Sequence, residues 1–164
     1  LEPNKINHID NFILAASTHI GEDEVVINSF KRLKEEFLDL KLIIVPRHPE
    51  RAKTIKQILS NNKMNFELSS DLDFNTKEND IIVISATGCL NSLYKLSKAS
   101  FIGGSLFSRY GGHNVIEAAF NESPFIVGPY MKNFEDVLNS FLRRDACLQI
   151  EHPTEYALAK QAAV

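Results

Sequence analysis

The feature that most constrains the fold of this chain is an alternation of short apolar runs with stretches of helical period. Asn11–Ala16, Lys41–Val45, Asp80–Ile84, Ser100–Ile102 and Pro124–Val127 read as strands, with Phe66–Leu68 and Cys147–Ile150 as weaker candidates. Between the first two, Val26, Phe30, Leu33 and Phe37 recur at helical spacing, with Lys31, Lys34, Glu35 and Glu36 on the other face. Ile55, Ile58 and Leu59 mark a second helix that ends near Asn61–Asn62. Leu90, Leu93 and Tyr94 mark a third. A fourth starts near His113, a fifth carries Phe134, Val137, Leu138 and Phe141, and a last one begins at Pro153. Ser69–Asn79 is polar and reads as a loop. Strands that alternate with helices build βαβ units on a parallel sheet. The run Ile81–Ile84 has no polar alternation, as expected of a strand covered on both faces. The predicted fold is α/β, a Rossmann-like parallel sheet of about six strands with helices on both faces.

Composition excludes several classes. The 164 residues correspond to one domain. Net charge is −3, so no basic excess exists to hold nucleic acid. Two cysteines, Cys89 and Cys147, form no disulfide framework and fit a reducing compartment. No apolar run is long enough to cross a bilayer. A first residue of Leu1 rather than Met predicts a piece of a longer protein, and that piece is expected to be soluble. The chain has no G-x-x-x-x-G-K-[ST], no G-x-G-x-x-G after the first strand, no H-E-x-x-H, no C-x-x-C and no G-x-S-x-G. Its histidines are scattered, so neither a metal nor another cofactor is predicted.

In a parallel sheet, ligands sit outside the carboxyl ends of the strands. The unusual residues of this sequence cluster there. Ser17-Thr18-His19 follows the first strand, Arg47-His48 the second, Ser85 to Cys89 the fourth, Gly103-Gly104-Ser105 the fifth and Gly128-Pro129 the sixth. Five of the seven glycines lie between Gly88 and Gly112, and two Gly-Gly pairs bracket one loop. That loop leads into a helix whose first residues are His113, Asn114, Val115, Ile116 and Glu117. Amides at such a terminus face an anion, and Glu117 could accept bonds from both hydroxyls of a ribose. A capping box formed by Asn114 and Glu117 explains the same spacing without a ligand. Arg47 sits in a loop stiffened by Pro46 and Pro49 and is suited to phosphate. Arg51 reads as helix surface, Glu22, Asp23 and Glu24 as an acidic first turn, His8 and His152 as solvent-facing, and Cys147 as core. His19 and Glu22 are weaker candidates for the cleft.

The segments Ala15–Glu22 (AASTHIGE), Pro46–Arg51 (PRHPER), Gly103-Gly-Ser105, Gly111-Gly-His-Asn114 with Glu117, and Gly128-Pro129 with Asn133-Phe134 occur here in one order. In that order they resemble the C-terminal half of bacterial 3-deoxy-D-manno-octulosonic acid (Kdo) transferases, over nearly the whole chain. The resemblance implies a GT-B glycosyltransferase, with residues 1–164 as the single donor-nucleotide-binding domain and the N-terminal acceptor domain outside this sequence. It implies a CMP-Kdo donor, a lipid A precursor as acceptor at the cytoplasmic face of the inner membrane, and a role in lipopolysaccharide biosynthesis. Carried over, it places the nucleotide at Pro46 and Arg47, at Thr87, Gly88 and Cys89, and at Asn114, Val115, Ile116 and Glu117. Ser17, Thr18, His19, Gly103, Gly104, Ser105 and His113 are further candidates for the cleft. The general base would be a carboxylate of the N-terminal half, which leaves this piece inactive alone. The sequence departs from the family pattern at Ser85 and Cys89, where acidic residues are usual, and at Val115, where Pro is common. The loop between the glycine pairs is one residue longer. Another nucleotide-sugar transferase, an epimerase domain or a nucleotide-binding module without catalysis fits the same strand-end loops.

Overall fold

A computed structural model describes residues 11–74 and 77–154. Seven strands form one sheet: β1 (Phe12–Thr18), β2 (Lys41–Pro46), β3 (Phe66–Ser69), β4 (Ile81–Ile84), β5 (Ala99–Ile102), β6 (Phe125–Val127) and β7 (Leu148–Gln149). Every pairing is parallel, in the order β3-β4-β2-β1-β5-β6-β7. Both weak sequence candidates are therefore strands, each at one edge of the sheet. Their shortness suits the edge position, where only one neighbour supplies hydrogen bonds.

Among the described residues, five α-helices cross between strands: α1 (Glu22–Glu36), α2 (Ala52–Asn61), α3 (Leu90–Leu96), α4 (Ile116–Phe120) and α5 (Glu135–Leu142). The period of two along each strand divides the core into two layers. Leu42 and Ile44 face Val26, Ile27 and Phe30 of α1 and Ile55 and Leu59 of α2. Ile43 and Val45 face the other way, into a cluster with Leu93 and Tyr94 of α3, Ala118 of α4 and Leu138 of α5. Sandwiched between these layers, Ile81, Ile82, Val83 and Ile84 of β4 are all fully buried. The unbroken apolar run has its physical reason there.

Three boundaries differ from the sequence reading. β1 runs on through Ser17 and Thr18, with a register irregularity between Ala16 and Thr18 where Ser17 takes a left-handed backbone. α4 begins at Ile116, three residues after His113. The start of the last helix was read at Pro153, but Pro153 and Thr154 are not helical, and residues 155–164 and His8 lie outside the described residues. His152 is exposed and Cys147 is in the core, as read.

The chain enters the sheet at its centre with β1, adds β2 beside it, passes to the edge with β3, inserts β4 between β3 and β2, then returns to the other side of β1 with β5. The order reverses between β1 and β5, and such a reversal opens a crevice at the carboxyl ends of the two strands. A cavity of about 470 Å³ opens at the other end of the sheet, near the amino ends of β1, β5, β6 and β7, lined by Ile13, Leu33, Phe37, Ala99, Phe125 and Leu148 among others. It is remote from the crevice. The layered core gives one direct expectation. Ile82→Ala, at the buried centre of β4, should cost about 2–5 kcal/mol in denaturant unfolding, whereas Leu148→Ala, 40% exposed on β7, should change stability by no more than about 0.5 kcal/mol.

Candidate functional site

The crevice is built around a buried carboxylate. Glu22 opens α1 and is fully buried. Its Oε2 accepts hydrogen bonds from the backbone N–H of His19 (2.9 Å) and Gly104 (2.8 Å), and its Oε1 from those of Ser105 and Leu106 (both 3.0 Å). Burial pushes the Glu22 carboxyl up from its usual range, and the four amides pull it back. Four donors need four lone-pair positions, which only the ionised carboxylate offers. Glu22 thus ties the β1–α1 loop to the β5–α4 loop across the switch point. It does far more than complement a helix dipole, which corrects the acidic-turn reading.

A second tie is next to it. Thr18 Oγ1 donates to Asp23 Oδ1 (2.7 Å), and Asp23 Oδ2 accepts from Arg51 Nη2. Arg51 Nη1 donates to the Thr18 carbonyl (3.1 Å), which also accepts from the Arg47 N–H (3.0 Å). Arg51 is therefore no surface residue; it locks the β2–α2 loop to the end of β1. Charge pairs with this little solvent exposure stabilise when each partner is satisfied, and removal of one strands the other.

The glycines follow from this crowding. A Cβ on Gly103 would strike the Ser17 carbonyl, and one on Gly104 would lie 2.8 Å from the His113 ring. The loop beyond is held from behind by Asn133, whose Nδ2 donates to the carbonyls of Tyr110 (3.0 Å) and Gly112 (3.3 Å). Ser105 is equally enclosed, and its Oγ accepts from the Gly128 N–H (2.8 Å).

What faces the crevice is a set of rings and cations. His19 stacks on Tyr110 with centroids 3.9 Å apart, lies parallel to His113 at 4.9 Å and meets His48 edge-on at 5.8 Å. The Nε2 atoms of His19 and His113 share a hydrogen bond of 2.6 Å. Burial lowers the His19 pKa from 6.5 to about 4, helped by His113, His48, Arg51 and Arg47. His113 is lowered too, by burial first and then by Arg47 and His48. Both imidazoles are therefore neutral near pH 7. Arg109 lies over the Tyr110 ring at 4.8 Å and donates to the Ile20 carbonyl.

The predicted residues divide into two groups. Arg47, His48, Thr87, Gly88, Asn114 and Ile116 are exposed, and His113 and Glu117 are partly so. They lie at the carboxyl ends of β2, β4 and β5, with β1 between. Thr18, Gly103, Gly104 and Ser105 are buried in the frame, and the amides of Gly104 and Ser105 are taken by Glu22. Pro46 is buried opposite Thr18. The Cys89 thiol points into the core with its pKa raised by burial, and Val115 is buried in the same cluster. Neither side chain faces the crevice. Ser85 Oγ donates to the Ser69 carbonyl (3.2 Å).

Asn114 Oδ1 accepts from the Ile116 N–H at 2.9 Å, a local turn two residues long, and not from the Glu117 N–H that a capping box requires. The reciprocal bond from Glu117 is absent as well. Among the described residues, no donor reaches the Glu117 carboxylate, which is partly exposed and near the buried Tyr94, whose pKa burial and the Glu117 charge both raise. Tyr110 has no place in the sequence reading, and Asp23 and Arg51 appear there only as an acidic first turn and as helix surface, not as partners. Tyr110 carried no spacing signal, whereas the His19-x-x-Glu22 interval, a backbone donor three residues before its acid, was a signal for the Glu22 contact.

The chain is 35% identical over 148 residues to a 3-deoxy-D-manno-octulosonic acid transferase of Rickettsia felis, covering 89% of this chain and 32% of that protein. It is 40% identical over 149 residues to a bifunctional glycosyltransferase/methyltransferase of Fusobacterium nucleatum, covering 89% of this chain and 22% of that protein. The crystal structure of the C-terminal CMP-Kdo binding domain of WaaA from Acinetobacter baumannii superposes with a TM-score of 0.78 at 26% identity, covering 95% of this chain and 84% of that domain. The chain is a homologue of the C-terminal domain of the Kdo transferases. It spans about a third of the length of the Rickettsia relative. No family model matches. A UDP co-structure of MnaA from S. aureus shares the fold alone, at 18% identity and a TM-score of 0.62 over 99% of this chain and 39% of that one.

Two outcomes follow for this Kdo transferase homologue. Glu22→Gln sets an NH₂ donor against backbone N–H groups and should cost at least about 2 kcal/mol in denaturant unfolding. His19 titrates near 4 when folded and near 6.5 when unfolded, so between these values the unfolded chain binds more protons. Stability should therefore fall as pH drops from 6.5 towards 4. In His19→Gln that fall, followed by melting temperature, should be shallower than in the parent. An equal slope would remove the burial of a neutral His19 as its cause.

Proposed function

We propose that this chain is the donor-nucleotide-binding domain of a Kdo transferase and holds CMP-Kdo at the β1/β5 switch point. One observation carries the reading. The exposed residues Arg47, Thr87, Gly88 and Asn114 and the partly exposed Glu117 gather at one carboxyl edge of the sheet, and the homologous domain of known structure is a CMP-Kdo binding domain. Arg47 contacts the phosphate. Glu117, free of an intramolecular cap, accepts the ribose hydroxyls. Thr87, Gly88 and the backbone of Cys89 line the base. Val115 and Ile116 contribute through the backbone at the start of α4.

In the longer protein, a second domain faces this crevice across a cleft and brings the acceptor, a lipid A precursor, to the cytoplasmic face of the inner membrane. Transfer passes through an oxocarbenium-like state with a departing CMP phosphate. This domain stabilises that phosphate by electrostatics. The general base that deprotonates the acceptor hydroxyl belongs to the other domain, so this chain binds donor and does not turn it over alone. No helix among the described residues is long and apolar enough to cross a membrane; membrane association resides in the rest of the protein.

Calorimetric titration tests the reading. CMP should bind weakly, because half a cleft buries little of the ligand, and more tightly than UMP or ADP. Equal affinity for all three, or no heat at saturating CMP, removes the donor assignment. Arg47→Ala should weaken CMP by roughly 10- to 150-fold, the loss of one charged hydrogen bond of about 1.5–3 kcal/mol. Lys53→Ala, an exposed change on α2, should not alter binding. Glu117→Gln should leave the melting temperature unchanged and weaken CMP several-fold, with little further loss for 2′-deoxy-CMP. A Glu117→Gln variant that melts lower and binds normally moves the ribose contact elsewhere.

A further inference from the structure

The loop from Leu106 to Gly112 carries a cation that the donor contacts proposed above leave unused. Its tip is a turn closed by the bond from the Tyr110 N–H to the Phe107 carbonyl (3.3 Å), with Ser108 and Arg109 exposed at the two central positions. His19 covers one face of the Tyr110 ring at 3.9 Å, so the Arg109 guanidinium, 4.8 Å from the same centroid, takes the other face. Phe107 flanks it at 5.4 Å and is itself seated against Gly21, where a Cβ would lie 3.0 Å from the ring. Arg109 Nη2 donates to the Ile20 carbonyl at 3.0 Å, which ties the guanidinium to the β1–α1 loop. Two rings and one hydrogen bond thus hold a long side chain in place, so little ordering is left when a ligand arrives. A guanidinium has five N–H groups, and stacking on a ring uses none of them. The Ile20 carbonyl takes one. Among the described residues no carboxylate pairs with Arg109, and its other donors are left for a ligand at the crevice.

We propose that Arg109 selects a sugar acid in the donor, by pairing with the carboxylate on its anomeric carbon. The inference rests on the donor-binding reading above. Strand order gives the direction of the ligand. The base contacts at Thr87 and Gly88 follow β4, the phosphate contact Arg47 follows β2, and the sheet continues through β1 to β5. A group attached to the phosphate therefore lies over the ends of β1 and β5, where Arg109 reaches from the β5–α4 loop to the β1–α1 loop. In a CMP-activated sugar acid the phosphate ester and the carboxylate share one carbon, so cations on two sides of that carbon serve both charges. Arg47 is on one side and Arg109 on the other. Side chains must supply these donors, because Glu22 has taken the Gly104, Ser105 and Leu106 amides. Arg51 is already paired with Asp23. A neutral sugar offers Arg109 only hydroxyls, which are weaker acceptors than a carboxylate. A held carboxylate also fixes rotation about the phosphate ester, and so the face that the anomeric carbon presents to an acceptor.

Calorimetry of this 164-residue chain tests the assignment. The probes are CMP, CMP-Kdo and CMP-Kdo with its carboxylate converted to the carboxamide. The parent should bind CMP-Kdo more tightly than either CMP or the carboxamide. Arg109→Ala and Arg109→Gln should each weaken CMP-Kdo roughly tenfold, the low end for a hydrogen bond between charged groups, and leave CMP within about twofold of the parent. The Gln variant keeps a donor for the Ile20 carbonyl and loses the charge, so it separates the ion pair from mere support of the loop. In both variants the preference for acid over carboxamide should vanish. Arg109→Lys should recover part of the lost affinity, because the charge returns without the planar fork. The assignment is overturned if both variants bind CMP-Kdo like the parent, or if the parent binds acid and carboxamide equally. It is also overturned if CMP weakens as much as CMP-Kdo, which would make Arg109 a support of the loop alone. In each of these cases CMP still binds and the donor reading stands. Absence of binding by every probe would overturn that reading together with the role of Arg109.

Discussion

The organisation of the crevice depends on one buried carboxylate. Glu22 gathers the amides of His19, Gly104, Ser105 and Leu106, and so fixes two loops that leave neighbouring strands on opposite sides of the topological switch. An ionised carboxylate in the core is costly unless every lone pair is used, and here four are. The satisfied group then acts as a rivet. It sets the distance between His19 and His113, and it determines which donors remain for a ligand. In many parallel α/β sites an anion sits on backbone amides at a glycine-rich turn. In this chain the protein's own acid occupies that place, and the rings and cations around it form the open surface.

The Thr18–Asp23–Arg51 chain extends the rivet to the third loop. Arg51 ties the end of β1 to the start of α2, which leaves Arg47 and His48, three and four residues earlier, exposed on a braced turn. A braced turn needs little ordering when it meets a ligand, so less of the contact energy is lost to fixing the loop. The glycines serve the same compactness. At Gly103 the neighbouring Ser17 carbonyl excludes a Cβ, and at Gly104 the His113 ring does. The glycine-rich composition of this region is therefore explained by packing between loops, and the ligand need not touch these backbones at all.

The layered architecture was legible in the sequence because period-two and period-3.6 patterns record burial directly. Both uncertain strands proved real, and each is an edge strand, where weak patterning is physically expected. The position of the crevice was legible through the residues that follow each strand. Finer roles were not. Cys89 and Val115 occupy the expected loops yet turn into the core, because a loop residue next to a helix start can face either side and its spacing records neither choice. Arg51 looked like helix surface because its partner Asp23 is distant in sequence, and a long-range ion pair leaves no local pattern. The bonds from the β5–α4 loop to Glu22, and the role of Tyr110, became visible only once strands β1 and β5 lay side by side.

The central claim is that the carboxyl edge spanning β4, β2, β1 and β5 holds a cytidine nucleotide. Amide chemical-shift mapping of the chain during a CMP titration tests it most directly. The account predicts that the shifts concentrate at Arg47–His48, Thr87–Cys89 and His113–Glu117, with smaller changes at His19. Residues around the distant apolar cavity, such as Ile13, Ala99 and Leu148, should stay still. Shifts centred on that cavity, or spread evenly over the surface at saturating CMP, would contradict the account.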